Sequence, residues 1–111
     1  VDESAAKLLA EVAHPNVGTF WQPHNEDDNP TRMAGLKVVL DQVVNTHVFY
    51  WENYMNRYAL ADGKEMWMPF LKEMAATGRD HYACIEFVQD DEPENYIRDA
   101  AALQSWIDEI G

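Results

Sequence analysis

The sequence predicts an α/β fold in which helices alternate with parallel strands. Four segments repeat apolar residues at the i, i+3, i+4 spacing of a one-sided helix. Three short segments rich in β-branched and aromatic residues lie between them. The resulting order, α-β-α-β-α-β-α, is typical of parallel strands joined by helical crossovers. At 111 residues with 47% hydrophobic content, residues 1–111 are expected to form a single domain with a packed core.

The first half of the chain supplies two helices and two strands. Helical spacing predicts a helix over about residues 3–13 and a second over about residues 31–44, with Pro30 suited to a first helical turn. Valine, threonine and aromatic residues predict strands at 16–22 and at 46–51. The region between the first strand and the second helix is polar and is expected to be a loop.

The second half of the chain adds two helices and one strand. A long polar and aromatic segment follows the second strand and reaches Gly63, and loops of this length are usually functional. Pro69 is expected to be tolerated only in the first turn of the third helix. The third strand is expected at 82–88, and Pro93 opens the last helix. The third helix is predicted from its apolar positions, which are Trp67, Phe70, Leu71 and Met74.

Polar side chains follow each predicted strand, where ligands bind to parallel α/β sheets. This arrangement fits both a doubly wound sheet and part of a (β/α)8 barrel. The residues concerned are Gln22, His24 and Asn25 after the first strand, Glu52, Asn53 and Arg57 after the second, and Glu86, Gln89, Asp90 and Asp91 at the end of the third.

Composition excludes several classes of function. The net charge of -12, with only eight Lys and Arg residues, argues against a nucleic-acid partner. The apolar runs are far shorter than the roughly 20 residues of a membrane span, so no membrane partner is expected. The single cysteine, Cys84, fits a reducing compartment, which makes the cytoplasm the expected location. Glycine-rich phosphate loops, Cys-x-x-Cys pairs and nucleophile elbows do not occur in the sequence.

Glu86 is the main candidate for chemistry, because it is an acid in an apolar strand. It alternates with Cys84 and Val88 on the strand face that points to a barrel or crevice interior. Burying an unpaired carboxylate is costly, so a metal ion, an arginine or a raised pKa is expected to accompany it. A purely structural ion pair is the alternative interpretation.

His47 lies on the second strand at a position from which it could share a metal ion with Glu86, because neighbouring strands are about 4.8 Å apart. A hydrogen-bonded core histidine is the plain alternative. Gln22 and His24 offer further donors, although a polar loop explains them equally well. Arg57 could bind a carboxylate or phosphate, or could form an ordinary surface ion pair.

Three phrases of the sequence, in this order, resemble the closing third of a xylose-isomerase-like barrel of the sugar phosphate isomerase/epimerase group. The resemblance spans nearly the whole chain and implies that its strands correspond to the sixth, seventh and eighth of a (β/α)8 barrel. The phrases are His14-Pro-Asn-Val-Gly-Thr-Phe-Trp-Gln-Pro-His24, then His47-Val-Phe-Tyr-Trp51 with Arg57 and Leu60-Ala-Asp-Gly63, and finally Ile85-Glu86-Phe87.

The resemblance implies a divalent ion, such as manganese or magnesium, that holds a sugar or sugar phosphate while two glutamates move a proton through an enediolate. Glu86 corresponds to one glutamate and is both a metal ligand and the acid/base. His47 is a metal ligand, and Gln22 stands where many relatives carry an aspartate ligand. Arg57, together with His24 and Trp51, is expected to contact the substrate.

Such a barrel needs about 250 residues, so the resemblance implies a C-terminal portion that is inactive alone. The exposed inner face of three strands would then be covered by the rest of the barrel or by self-association. Two alternatives remain, namely a dehydratase or other metal-dependent lyase or hydrolase on the same barrel, and a non-catalytic acidic α/β interaction module.

Overall fold

The computed structural model describes residues 2–111 and has the predicted mixed α/β architecture. Helices alternate with the strands of a small parallel sheet, and a short antiparallel hairpin follows the second of these strands. No helix within residues 2–111 has the length and apolar character needed to cross a membrane. The elements are α1 (Asp2–Val12), β1 (Thr19–Trp21), α2 (Asn29–Val39), β2 (Val43–Val48), β3 (Trp51–Asn53), β4 (Asn56–Arg57), α3 (Lys64–Ala75), β5 (Tyr82–Ile85) and α4 (Pro93–Ile110).

The main sheet has the strand order β1-β2-β5, and both pairings are parallel. β2 is therefore the central strand. Trp21 lies opposite Thr46, and His47 lies opposite Cys84. The parallel pairing predicted from the alternating pattern is confirmed, and the carboxyl ends of the three strands meet at one edge of the sheet.

Strand boundaries differ from those predicted. The second strand occupies Val43–Val48 instead of 46–51, because α2 ends at Val39 and a single 3-10 turn, Leu40–Gln42, precedes the strand. Val39 ends α2 and Val43 begins β2, and both are buried in the same core. Their four-residue spacing therefore resembles that of one helix although they belong to two elements. The polar segment after β2 also contains the hairpin of β3 and β4.

Helix α3 contains Pro69 beyond its first turn, contrary to the expectation from the sequence. Proline removes one backbone hydrogen bond from a helix interior. Pro69 lies on the exposed side of α3, where water can reach the helix backbone, while Met68 and Phe70 on either side are buried. The proline is thus accommodated on the solvent face of the helix.

The core lies between the sheet and helices α2, α3 and α4. Trp67 is completely buried, and its indole Nε1 donates a hydrogen bond of 2.7 Å to the backbone oxygen of Phe49. Trp21 and Phe70 meet Trp67 edge to face, with ring centroids 6.5 and 6.1 Å from it. These contacts anchor the carboxyl end of β2 to α3.

Candidate functional site

The two faces of the parallel sheet differ in their surroundings. Trp21, Thr46 and Val48 face the helices and are buried. On the opposite face, Phe20 is 52% exposed and Tyr82 is 67% exposed. This open face carries the candidate site at its carboxyl end.

Gln22, His47 and Glu86 come together at the carboxyl ends of the three parallel strands. The Nδ1 atom of His47 lies 3.1 Å from Oε1 of Gln22 and 3.6 Å from Oε2 of Glu86. With Nδ1 protonated, His47 donates a hydrogen bond to the Gln22 amide oxygen. The three side chains form the Gln22–His47–Glu86 cluster, and their roles as metal ligands stay predictions.

The Phe20 ring holds the imidazole of His47 from one side. The two rings are stacked, with centroids 4.5 Å apart and planes 15° from parallel. Phe20 was not singled out from the sequence as a functional residue. Phe20 lies in β1, two residues before Gln22, and the alternation of a strand places both side chains on the same face. This spacing is the signal that could have identified Phe20.

One oxygen of Glu86 is buried without a hydrogen-bond partner. Oε2 is inaccessible to solvent, although the side chain as a whole is 30% exposed. The 3.6 Å separation from His47 Nδ1 is too long for a hydrogen bond. The two side chains therefore form an ion pair only when the imidazole carries a positive charge. An unpaired buried acceptor is costly, and a cation or a hydrogen-bond donor at this oxygen would remove that cost.

Arg57 lies beneath the surface, with its side chain only 10% exposed. Its Nε donates to the backbone oxygen of Tyr54 over 2.9 Å. Its Nη1 donates to the backbone oxygen of Val88 over 3.2 Å and to the carboxylate of Asp91. Arg57 therefore joins the end of the hairpin to the segment that follows β5.

Three aromatic rings surround the Arg57 guanidinium. Its carbon lies 4.8 Å from the ring centroids of Tyr54 and Phe87 and 5.8 Å from that of Trp51. We call the three rings of Trp51, Tyr54 and Phe87 the cage around Arg57. The predicted substrate residue Trp51 is thus part of this cage, and its indole Nε1 is buried without a hydrogen-bond partner. Tyr54 and Phe87 were not singled out from the sequence as site residues, because the fold alone brings the hairpin next to the end of β5.

Phe87 lies two residues after the end of β5 and has a backbone φ of 52°. The left-handed region costs about 1–2 kcal/mol for residues other than glycine, and it is unusual for a bulky side chain. Asp90 and Asp91 adopt similar angles, 57° and 53°. The strand expected over 82–88 therefore stops at Ile85, and Glu86 lies at the start of a sharply turning segment.

Glu52 closes the β3–β4 hairpin. Its Oε2 accepts hydrogen bonds of 3.0 Å from Nδ2 of Asn56 and from the hydroxyl of Tyr58. The hydrogen bond to Glu52 raises the pKa of the Tyr58 phenol. These contacts hold the hairpin in the shape that presents Trp51 and Arg57.

His24 lies in the exposed loop after β1, where its backbone oxygen accepts a 2.8 Å hydrogen bond from Arg32. His24 borders a cavity of about 380 Å³ together with Phe20 and Gln22. Within residues 2–111, no hydrogen bond or ion pair joins the His24 side chain to the Gln22–His47–Glu86 cluster. His24 thus lies next to the cluster and is not part of it.

The candidate metal ligands are few. Among the described residues, no group of three or more His, Cys, Asp or Glu side chains is close enough to hold a metal ion. The cluster offers one carboxylate, one imidazole and one amide. A divalent ion with four to six ligands would need donors in addition to these three.

The chain was compared with models of known protein families, with curated proteins and with solved structures, and no match was found.

Proposed function

We propose that the chain forms the closing part of a (β/α)8 barrel in a metal-dependent sugar or sugar phosphate isomerase or epimerase. The observation that carries this proposal is the meeting of Gln22, His47 and Glu86 at the carboxyl ends of adjacent parallel strands. Ligands of such barrels bind at that end. The resemblance of the three strand phrases to a xylose-isomerase-like barrel, in the same order, gives independent support.

Glu86, His47 and Gln22 would hold the divalent ion, manganese, magnesium or similar. The unpaired Oε2 of Glu86 is the atom best suited to a cation. When bound, the ion supplies positive charge that stabilises negative charge developing on the sugar oxygens. Glu86 takes a proton from a sugar carbon and returns it, and the stacked ring of Phe20 keeps the imidazole of His47 oriented.

The substrate contacts are assigned to His24, Trp51 and Arg57. His24 borders the cavity beside Gln22, and Trp51 offers a half-buried ring against which a sugar can pack. Arg57 is the third predicted substrate contact, and its Nε and Nη1 already donate hydrogen bonds to protein oxygens.

The remaining ligands and the second glutamate would come from strands outside these 111 residues. Those strands, or a second copy of the chain, would cover the open face around Phe20 and Tyr82. With three ligands in place and water completing the coordination, the isolated chain is expected to bind the ion, and without the second glutamate it is expected not to isomerise sugars.

Calorimetric titration of the metal-free 111-residue chain with Mn²⁺ tests the proposal. We expect Glu86→Gln to weaken Mn²⁺ binding at least tenfold, about 1.4 kcal/mol. Glu11→Gln, a change of the same charge at an exposed position of α1, is the control for nonspecific attraction of cations to an acidic protein. Wild-type affinity in the Glu86 variant, or absence of binding in the wild type, would contradict the proposal and favour a non-catalytic interaction module.

The same barrel could carry a dehydratase or another metal-dependent lyase or hydrolase, and Mn²⁺ binding alone does not separate these reactions. Product analysis separates them once the missing strands are supplied. Isomerisation and epimerisation conserve the composition of the sugar, whereas a dehydratase releases water. The isomerase proposal requires a product of unchanged mass.

A further inference from the structure

We infer that Arg57 is a positioning residue that fixes Glu86 by holding the segment immediately after it. That Arg57 holds the backbone after Glu86 follows from the contacts of Arg57 alone. Its consequence for metal binding rests on the proposed function. This role is distinct from the substrate contact that the resemblance implies.

Glu86 is held from two sides. On its amino side, the Glu86 backbone N–H donates a 3.0 Å hydrogen bond to the Val48 oxygen, which attaches it to β2. On its carboxyl side, Arg57 donates to the backbone oxygen of Val88, two residues further along, and to the Asp91 carboxylate. Glu86 is therefore attached to β2 on one side and, through Val88 and Asp91, to Arg57 on the other.

Phe87 provides the direct link between Arg57 and Glu86. Its left-handed backbone directs the ring into the cage, 4.8 Å from the guanidinium and 5.5 Å from the Tyr54 ring. A phenylalanine leaves this conformation readily unless surrounding contacts oppose the change. Attraction between the cation and the ring face opposes it here. Without the guanidinium, Phe87 is expected to relax, and the Glu86 side chain moves with it.

Burial of Arg57 distinguishes this role from a substrate contact. A residue that only binds substrate leaves the substrate-free protein unchanged when it is replaced. Arg57 is 10% exposed, and protein oxygens already occupy its Nε and Nη1. A positioning role therefore predicts a change at Glu86 in the absence of both sugar and metal.

Amide hydrogen exchange of the metal-free 111-residue chain, followed by NMR, tests the inference. In Arg57→Met, which keeps the apolar stem, we expect the Glu86 amide to exchange at least tenfold faster while the amide of the central-strand residue Thr46 is unchanged. Arg79→Met is the matched control, because Arg79 also donates to a backbone oxygen, that of Leu40, but lies before the amino end of β5. Unchanged exchange at Glu86, or equal acceleration at Thr46, would overturn the inference.

Arg57→Lys is the conservative variant. It keeps a cation among the rings but cannot reproduce the three hydrogen bonds to Tyr54, Val88 and Asp91. We expect an exchange rate at Glu86 between those of wild type and Arg57→Met. A rate in Arg57→Lys as fast as in Arg57→Met would show that the cation among the rings does not hold Phe87, and it would overturn that part of the inference.

Titration of the same variants with Mn²⁺ connects the positioning role to the proposed function. We expect Arg57→Met to weaken Mn²⁺ binding about fivefold without any sugar present, while Arg79→Met leaves it unchanged. If the wild type binds no Mn²⁺ but the exchange at Glu86 still accelerates in Arg57→Met, the proposed function fails and the positioning role stands. If the wild type binds and neither quantity changes in Arg57→Met, the positioning role fails alone.

Discussion

Replacing Glu86 with glutamine is expected to stabilise the metal-free protein. The substitution keeps the shape of the side chain and removes its charge. In the wild type, Oε2 of Glu86 is buried and has no hydrogen-bond partner, and His47 Nδ1 lies 3.6 Å from it. A stabilising change at a candidate catalytic residue is the pattern expected where function is maintained at the expense of stability.

The magnitude follows from the burial of a single atom. An unsatisfied buried polar atom costs about 1–3 kcal/mol, and more when it is charged, so Glu86→Gln recovers only the extra cost of burying the charge. Because the Glu86 side chain is 30% exposed overall, the lower end of that range applies, about 1 kcal/mol. For a domain of this size, this corresponds to an increase in Tm of about 4 °C.

Urea and thermal denaturation in the presence of a chelator, followed by circular dichroism, measure the effect. With a net charge of -12, removal of any carboxylate reduces repulsion, so the gain must be taken relative to Glu11→Gln at an exposed position. A Glu86→Gln protein no more stable than this control would refute the reasoning. A less stable one would show that Glu86 is a structural ion-pair partner.

Two further changes test the core and a helix terminus. Trp67→Phe removes the donor to a buried backbone oxygen and leaves a cavity, and it is expected to lower the free energy of unfolding by about 2–4 kcal/mol in urea denaturation. A loss below 1 kcal/mol would contradict the packing described here. The hydrogen bond from Thr31 holds the pKa of Asp28 below its usual value, so its capping contribution is present above about pH 4 and is lost as the pH falls through the lowered pKa. The stability difference between wild type and Asp28→Ala should therefore shrink in acid, and a difference independent of pH would rule out a charged cap.

The sequence predicted the type and order of the main elements because burial repeats with a distinct period in helices and strands. It misplaced β2 because Val39 and Val43 have helical spacing although they belong to different elements. The hairpin of β3 and β4 was missed, since its strands are held by polar contacts such as those of Glu52 and carry no periodic apolar pattern. Periodicity reports which residues are buried and only indirectly reports where an element begins.

The candidate site was partly accessible from sequence for a similar reason. His47 and Glu86 were expected to approach each other because adjacent parallel strands bring their ends together, and the two side chains are neighbours in the structure. The cage around Arg57 was not predictable, since it depends on the left-handed turn at Phe87, which no residue preference signals. Contacts that follow from regular geometry could be predicted, whereas contacts created by an irregular backbone could not.

The central place of β2 has a consequence for how the chain folds. Trp21 pairs with Thr46, and Val48 pairs with Ile85, so each parallel pairing closes a loop on the order of tens of residues before any sheet contact forms. Neither β1 nor β5 can form its hydrogen bonds to the sheet until β2 is in place. Folding should therefore be slow for a protein of this length, and the rate-limiting step is expected to be the capture of β1 and β5 by β2.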